Sequence, residues 1–341
     1  MKQWFLFTVI SAVFIGITSS CGDTAQTIHS DAKLSLDSLL LKYPDSVELL
    51  MKRANRSIDN FNYDGAMNDA AHAFRVDSNN LDVRTLYAEV LNNRPSRSIQ
   101  DVVAAQRHYT YLLKKRPKNT EVLVGLASTF SFFREFDQSF RYINEALRID
   151  ARCRDAYVLK GSNYGDLGNP ELMKSSYETA IQQDPEFFVA YVRLGAIYMD
   201  EQNPIAIEYF RTAHDLEPDD PEALYALAYA HQQFNQVEDA SLLYREMLRD
   251  TSDYYVSQAY FQLGFLKSFY ETPPDLDSAI YFYSNAIDVN PYYHEAYFQL
   301  GFCYDQKQDM TNALRMFGQS LKYNPGYAPA RQFADSLKKL R

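Results

Sequence analysis

Tryptophan and cysteine are almost missing from this chain of 341 residues, at one and three copies, and glycine and proline are scarce at 12 and 13. So few glycines leave little room for the phosphate loops of nucleotide-binding α/β folds, or for the many turns of an all-β architecture. Three cysteines without CxxC spacing build neither a disulfide framework nor a zinc site. Positive charge is short as well: 34 Lys and Arg against 44 Asp and Glu leave a net charge of -10. Nucleic-acid binding, which draws its affinity from cations on phosphate, is thereby excluded, and anionic membrane surfaces are disfavoured. The six histidines, His29, His72, His108, His214, His231 and His294, never fall at i, i+3 or i+4 spacing, so metal binding has no support. No P-loop, HExxH or GxSxG occurs, and no cofactor is expected. What is plentiful is apolar and aromatic: 46% hydrophobic residues, with 27 Tyr and 22 Phe. That composition supports a large core and favours helices, while length alone suggests two or three domains.

Residues 1–20 carry Lys2, an apolar run from Trp4 to Ile17, and the small residues Thr18, Ser19 and Ser20 before Cys21. The run is too short to span a bilayer comfortably and has the layout of a secretory signal. Small side chains directly followed by Cys resemble a bacterial lipoprotein signal. The resemblance implies lipid on Cys21 as the first mature residue, and Gly22 in place of Asp implies an outer-membrane lipoprotein facing the periplasm. Thr18 stands where that signal usually has an aliphatic residue. The alternative is ordinary cleavage after Ser20, giving a secreted protein with a free thiol. Residues 22–31 read as a short polar tether. Cys153 and Cys303 fall in different repeats and are expected as small buried apolar residues rather than as a disulfide.

From residue 32 to the end one pattern recurs about every 34 residues. Repeats begin near Val47, Leu81, Thr120, Arg154, Phe188, Pro221, Ser257 and His294, and the last reads HEAYFQLGFCYDQKQDMTNALRMFGQSLKYNP. Small residues stand at positions 8, 20 and 27: Gly161, Gly195, Gly264 and Gly301, then Ala206, Ala240, Ala279 and Ala313, then Ala180, Ala213 and Ala286. Only small side chains let two helices of a hairpin meet. Bulky residues at positions 4, 11 and 24, among them Tyr157, Tyr260, Tyr198, Tyr177, Phe210, Tyr244, Tyr283 and Phe317, fill the space between hairpins. Pro44, Pro117, Pro185, Pro218, Pro291 and Pro325 stop the second helix. Gly161, Gly165 and Gly168 are accounted for by this signature as packing and turn, not as a nucleotide loop.

These positions resemble the tetratricopeptide repeat. The resemblance covers residues 33–341 and implies an all-α fold: an α-solenoid superhelix of about eight helix-turn-helix repeats with capping helices at both ends, in one elongated domain. Extra residues in the repeats from Leu81 and Ser257, around 94–98 and 271–275, are expected to lengthen inter-helix loops. Residues 32–41 match only a second helix, and residues 328–341 only a first helix whose outer face is polar through Lys338, Lys339 and Arg341.

The resemblance implies a non-catalytic scaffold that binds partner peptides or helices on the concave wall lined by first helices. In the last three repeats the wall positions hold Tyr225 and Tyr229, Phe261, Phe265 and Phe269, and Phe298 and Phe302. Spacing of four puts each set on one helical face. Gln232, Gln233, Gln262, Gln299 and Gln306 would form a polar rim. Three readings of this stripe stand together: rings packing on each other within the chain, a groove for an apolar or aromatic peptide or amphipathic helix, and self-association of an assembly subunit. A glycan or cell-wall binder is a further alternative. The earlier repeats are polar at the same positions, with Glu48, Lys52, Asn55, Asp82, Glu89, Asn92 and Asn93, which fits plain solvation. The paired Lys and Asn by which some family members hold a C-terminal carboxylate do not occur in adjacent repeats.

Overall fold

The computed structural model describes residues 35–59, 62–250 and 253–339. Residues 1–34, and with them the signal segment, Cys21 and the tether, lie outside the described residues, as do Arg341 and the side chains of Lys338 and Lys339. The described residues form helices and no strand, in two compact bodies that divide between Phe187 and Phe188.

In the first body α1 (Leu36–Lys42) precedes four hairpins: α2 (Val47–Asp59) with α3 (Tyr63–Val76), α4 (Leu81–Asn93) with α5 (Ile99–Lys115), α6 (Thr120–Phe132) with α7 (Phe136–Ile149), and α8 (Arg154–Asp166) with α9 (Pro170–Gln183). The second body has α10 (Phe188–Asp200) with α11 (Ala206–Leu216), α12 (Pro221–Gln233) with α13 (Val237–Asp250), α14 (Asp253–Phe265) with α15 (Leu276–Val289), and α16 (His294–Gln306) with α17 (Met310–Tyr323), closed by α18 (Ala328–Lys339). The fold is thus an all-α tetratricopeptide solenoid, with eight hairpins among the described residues. α14 starts four residues ahead of the expected Ser257, and a π-helical turn, Leu266–Tyr270, follows it. The extra residues after Leu81 fall in the loop between α4 and α5.

Side-chain chemistry fixes the starts. Asn80, Asn119, Asn169, Asp220, Asp275 and Asp309 each accept from a backbone N–H in the first turn of the helix they precede, and Pro170 and Pro221 take positions where no N–H is needed. The turn from first to second helix repeats one left-handed residue: Arg134 (φ 58°), Gly168 (φ 71°), Gln202 (φ 56°), Asn235 (φ 61°) and Gln308 (φ 63°). Only one of the five is glycine, so the others hold a conformation that costs an L-residue about 1 to 2 kcal/mol.

Packing within a hairpin rests on a ring set against a missing side chain. A Cβ on Gly161 would lie 2.8 Å from Tyr177, on Gly195 2.8 Å from Phe210, on Gly264 2.9 Å from Tyr283, and on Gly301 2.8 Å from Phe317. Those four rings are 3% exposed or less. Around them Ala206, Ala240, Ala279 and Ala313, with Ala180, Ala213 and Ala286, are fully buried. The same device appears once where the repeat register does not ask for it, between Gly125 on α6 and Tyr109 on α5. Arg53 on α2 ties the first cap in place: Nε and Nη2 reach the Asp69 carboxylate at 2.7 and 2.8 Å, and Nη1 reaches Asp37 of α1 at 2.9 Å. Pro185, Pro218 and Pro291 follow α9, α11 and α15 by a few residues, where the chain turns to the next hairpin. Cys303 is buried and Cys153 half-buried, both free; burial pushes the Cys303 thiol up to about 12.

Candidate functional site

First helices of neighbouring hairpins touch one another, so α2, α4, α6 and α8 make one wall, and α10, α12 and α14 begin another in the second body. In the second body that wall is aromatic. Tyr225 and Tyr229 of α12 stack with centroids 6.2 Å apart, and Tyr225 also meets Tyr244 and Tyr255. Phe261 stacks on Tyr293 at 5.0 Å and leans on Tyr283. Phe265 lies 4.6 Å from Phe269, Phe269 stacks on Phe302 of α16 at 5.8 Å, and Phe302 meets Phe333 of α18 edge-on at 5.8 Å. Phe298 touches Phe317, Tyr327 and Phe333. The rings expected as a stripe therefore form a ladder across three first helices and the cap. Most are half-buried by one another; Phe269, carried on the π-helical turn, keeps 47% of its surface open.

The glutamines expected on the rim divide. Gln232 and Gln262 are buried, at 2% and 7% exposed, and Gln232 Nε2 donates to Gln262 Oε1 at 3.1 Å while Gln262 Nε2 donates to Tyr225 OH at 3.0 Å. Gln262 thus holds α12 to α14 instead of facing a partner. Gln299 is half-buried, and Gln233 and Gln306 are exposed. Burial raises the phenols of Tyr225, Tyr229 and Tyr283 above their ordinary value.

The polar wall of the first body is not simply solvated. Glu48 and Lys52 pair at 2.7 Å on the surface. Asn92 is 4% exposed and its Nδ2 donates to Ser128 of α6 at 3.1 Å. Asn163 Nδ2 of α8 donates to Ser139 Oγ at 2.8 Å, and Ser139 meets Ser131 at 2.8 Å. Ser139 occupies the repeat position where most hairpins have Ala, a departure that marks this polar link in the sequence. Glu89, Glu121 and Asp155 come from α4, α6 and α8. Burial, with the Glu121 and Asp155 carboxylates nearby, pushes the Glu89 carboxyl up to about 8. Burial also raises Glu121 and Asp155, against the opposing charges of Arg116 and Arg154.

No group of three or more His, Cys, Asp or Glu side chains suited to a metal ion occurs among the described residues. No helix among them is long and apolar enough to cross a membrane.

Two tetratricopeptide-repeat family models match the chain, one at residues 206–260 and the other at 155–187 and 294–327. The chain carries tetratricopeptide repeats. It is 24% identical over 243 residues to RNA polymerase-associated protein CTR9 of Caenorhabditis elegans, covering 68% of this chain and 21% of that protein. It is 30% identical over 107 residues to anaphase-promoting complex subunit 3 of Schizosaccharomyces pombe, covering 31% and 16%. Similarity to protein O-mannosyl-transferase TMTC3 of Homo sapiens is 23% over 224 residues, 64% of this chain and 24% of that protein. The chain thus spans about a quarter or less of these relatives. Among solved structures, the APC/C hetero-tetramer Cut9-Hcn1 superposes with TM-score 0.56 at 16% identity over 91% of this chain and 60% of that one. The C-terminal part of a TPR repeat-containing protein from Cytophaga hutchinsonii superposes with TM-score 0.57 at 16% identity, over 73% and 98%. At these identities the likeness is one of fold.

Proposed function

We propose that this chain is a non-catalytic protein-interaction scaffold, held at a bacterial cell envelope by lipid on Cys21, that takes an apolar or aromatic peptide or amphipathic helix against the first-helix wall of its second body. Tetratricopeptide proteins are interaction scaffolds in general, which supports the coarse reading. The observation that carries the finer one is the ring ladder through Phe265, Phe269 and Phe302, partly satisfied by its own members and left open at Phe269. A buried Phe is worth about 1.5 to 3 kcal/mol, so covering the open rings suits a weak, reversible partner. The outer-membrane, periplasm-facing location rests on the signal-like segment and on Gly22.

Two measurements test this reading. Phe269→Ala with Phe302→Ala should abolish capture of partners from solubilised envelope membranes while helicity and melting change little; a large loss of stability would assign the ladder to packing alone. Cys21→Ser should move the protein from the membrane fraction to the soluble one, and retention in the membrane would remove the lipid anchor from the proposal. Ring-on-ring packing already consumes much of the stripe, which weighs against permanent oligomerisation through it. Light scattering that gave a stable oligomer, broken by the same double substitution, would reverse that judgement.

A further inference from the structure

The loop between α4 and α5, residues 94–98, contains two arginines with different surroundings. Arg94 Nη2 donates to Asp101 Oδ2 at 2.6 Å, and the same oxygen accepts from the Ser98 N–H at 2.7 Å. Arg97 reaches no carboxylate. Its Nη1 makes one long contact to the Arg94 carbonyl at 3.4 Å, its Nε is buried without an acceptor, and its guanidinium sits 5.4 Å from the centroid of Phe132. The next turn, between α6 and α7, adds Arg134, which donates from Nη2 to the Asp166 carbonyl at 3.2 Å and lies 5.4 Å from the Phe136 ring. Phe132 stands edge-on to Phe133 at 5.2 Å and is 39% exposed. Neither guanidinium forms an ion pair among the described residues, although Glu135 adjoins Arg134 in sequence and Arg134 reaches the backbone of Asp166.

A half-buried guanidinium has lost water without gaining an anion, and burial lowers the pKa of Arg97 accordingly. A carboxylate arriving at its Nη groups would restore a charge-assisted bond in a partly dry setting, where such bonds are strongest. A ring beside the carboxylate would cover Phe132. Uncompensated positive charge is also unusual in a chain of net charge -10.

The geometry points to a second docking patch, in the first body, for an acidic segment of a partner protein: Arg97 takes an Asp or Glu side-chain carboxylate, Phe132 packs on a neighbouring aromatic residue, and Arg134 adds attraction from the adjacent turn. This patch lies in a different body from the aromatic ladder, so it stands or falls independently of that reading.

The test uses the full chain and a fluorescein-labelled hexapeptide, Gly-Glu-Phe-Glu-Phe-Gly, acetylated and amidated so that only side-chain carboxylates are present. Anisotropy should show binding that Arg97→Gln weakens at least tenfold, Arg97→Lys weakens less, and Arg134→Gln weakens two- to fivefold. The Arg97 Nε–H resonance should shift on adding the peptide. The Gln-for-Glu peptide should not bind. Equal binding of the Gln peptide, or binding unchanged in Arg97→Gln, overturns the proposal. So does binding confined to Gly-Gly-Phe-Gly with a free C-terminus, or to inorganic phosphate. A concentration-dependent dimer that Arg97→Gln dissolves would make the occupant a second copy of this chain and overturn it too. Unchanged melting of Arg97→Gln ensures that lost binding reports the patch and not the fold.

Discussion

Replacing Glu89 by Gln should stabilise the protein, and by more at pH 8 than at pH 5. The carboxyl is held from its ordinary 4.5 up to about 8 by burial and by its two acidic neighbours on α6 and α8. A folded state that raises an acid's pKa favours the protonated form. The stability Glu89 contributes is therefore fully present below pH 4.5 and is lost as pH climbs from 4.5 towards 8. Linkage puts the loss at about 3 kcal/mol by pH 7 and under about 1 kcal/mol at pH 5. Water still reaches part of the side chain, and screening reduces the pH 7 figure to about 2 kcal/mol. Gln keeps the shape and cannot ionise. Urea unfolding followed by circular dichroism should show wild type and Glu89→Gln within about 0.5 kcal/mol at pH 5, separating by about 2 kcal/mol at pH 8. Curves that separate equally at both pH values, or not at all, would refute the argument that Glu89 lacks a compensating cation.

Other substitutions test the packing. Gly264→Ala should cost about 1 to 3 kcal/mol, because its Cβ would lie 2.9 Å from two carbons of the fully buried Tyr283 ring. Gly318→Ala, on the exposed face of α17 with nothing within 4 Å, should instead gain up to about 1 kcal/mol in helix propensity, so thermal melts of the pair should move in opposite directions. Gln308→Gly should raise stability by about 0.5 to 1 kcal/mol by relieving its left-handed backbone at φ 63°, visible as a higher urea midpoint at unchanged slope.

The hairpins were legible in the sequence because each spacing has a single physical purpose. Gly161, Gly195, Gly264 and Gly301 sit where a ring from the second helix needs the space, and both members of each pair lie in one repeat. Longer-range chemistry was harder to read. Tyr293 and Phe333 complete the aromatic ladder from outside the wall positions, and nothing local announces that their rings reach Phe261 and Phe302. Gln262 looked like a rim residue because glutamine is usually solvated; its burial follows from Gln232 standing opposite it on the neighbouring helix. The π-helical turn that leaves Phe269 open arises where extra residues are absorbed before α15. The period of four predicted the helical face but not that local rewinding. Arg97 was visible only as part of an insertion, since its lack of a counter-charge is a property of three-dimensional neighbours.

Four of the five ring-on-glycine contacts close within single hairpins, between residues about 15 to 19 apart in sequence by subtraction, and the fifth, Gly125 with Tyr109, joins only neighbouring helices. Under tension, these local contacts provide no long-range clasp that must break before everything gives way. Pulled from its ends in optical tweezers, each body should yield in steps of one hairpin, each releasing on the order of 100 Å as about 34 residues extend. Low-force refolding should be as piecemeal, since the contacts that close a hairpin are local in sequence.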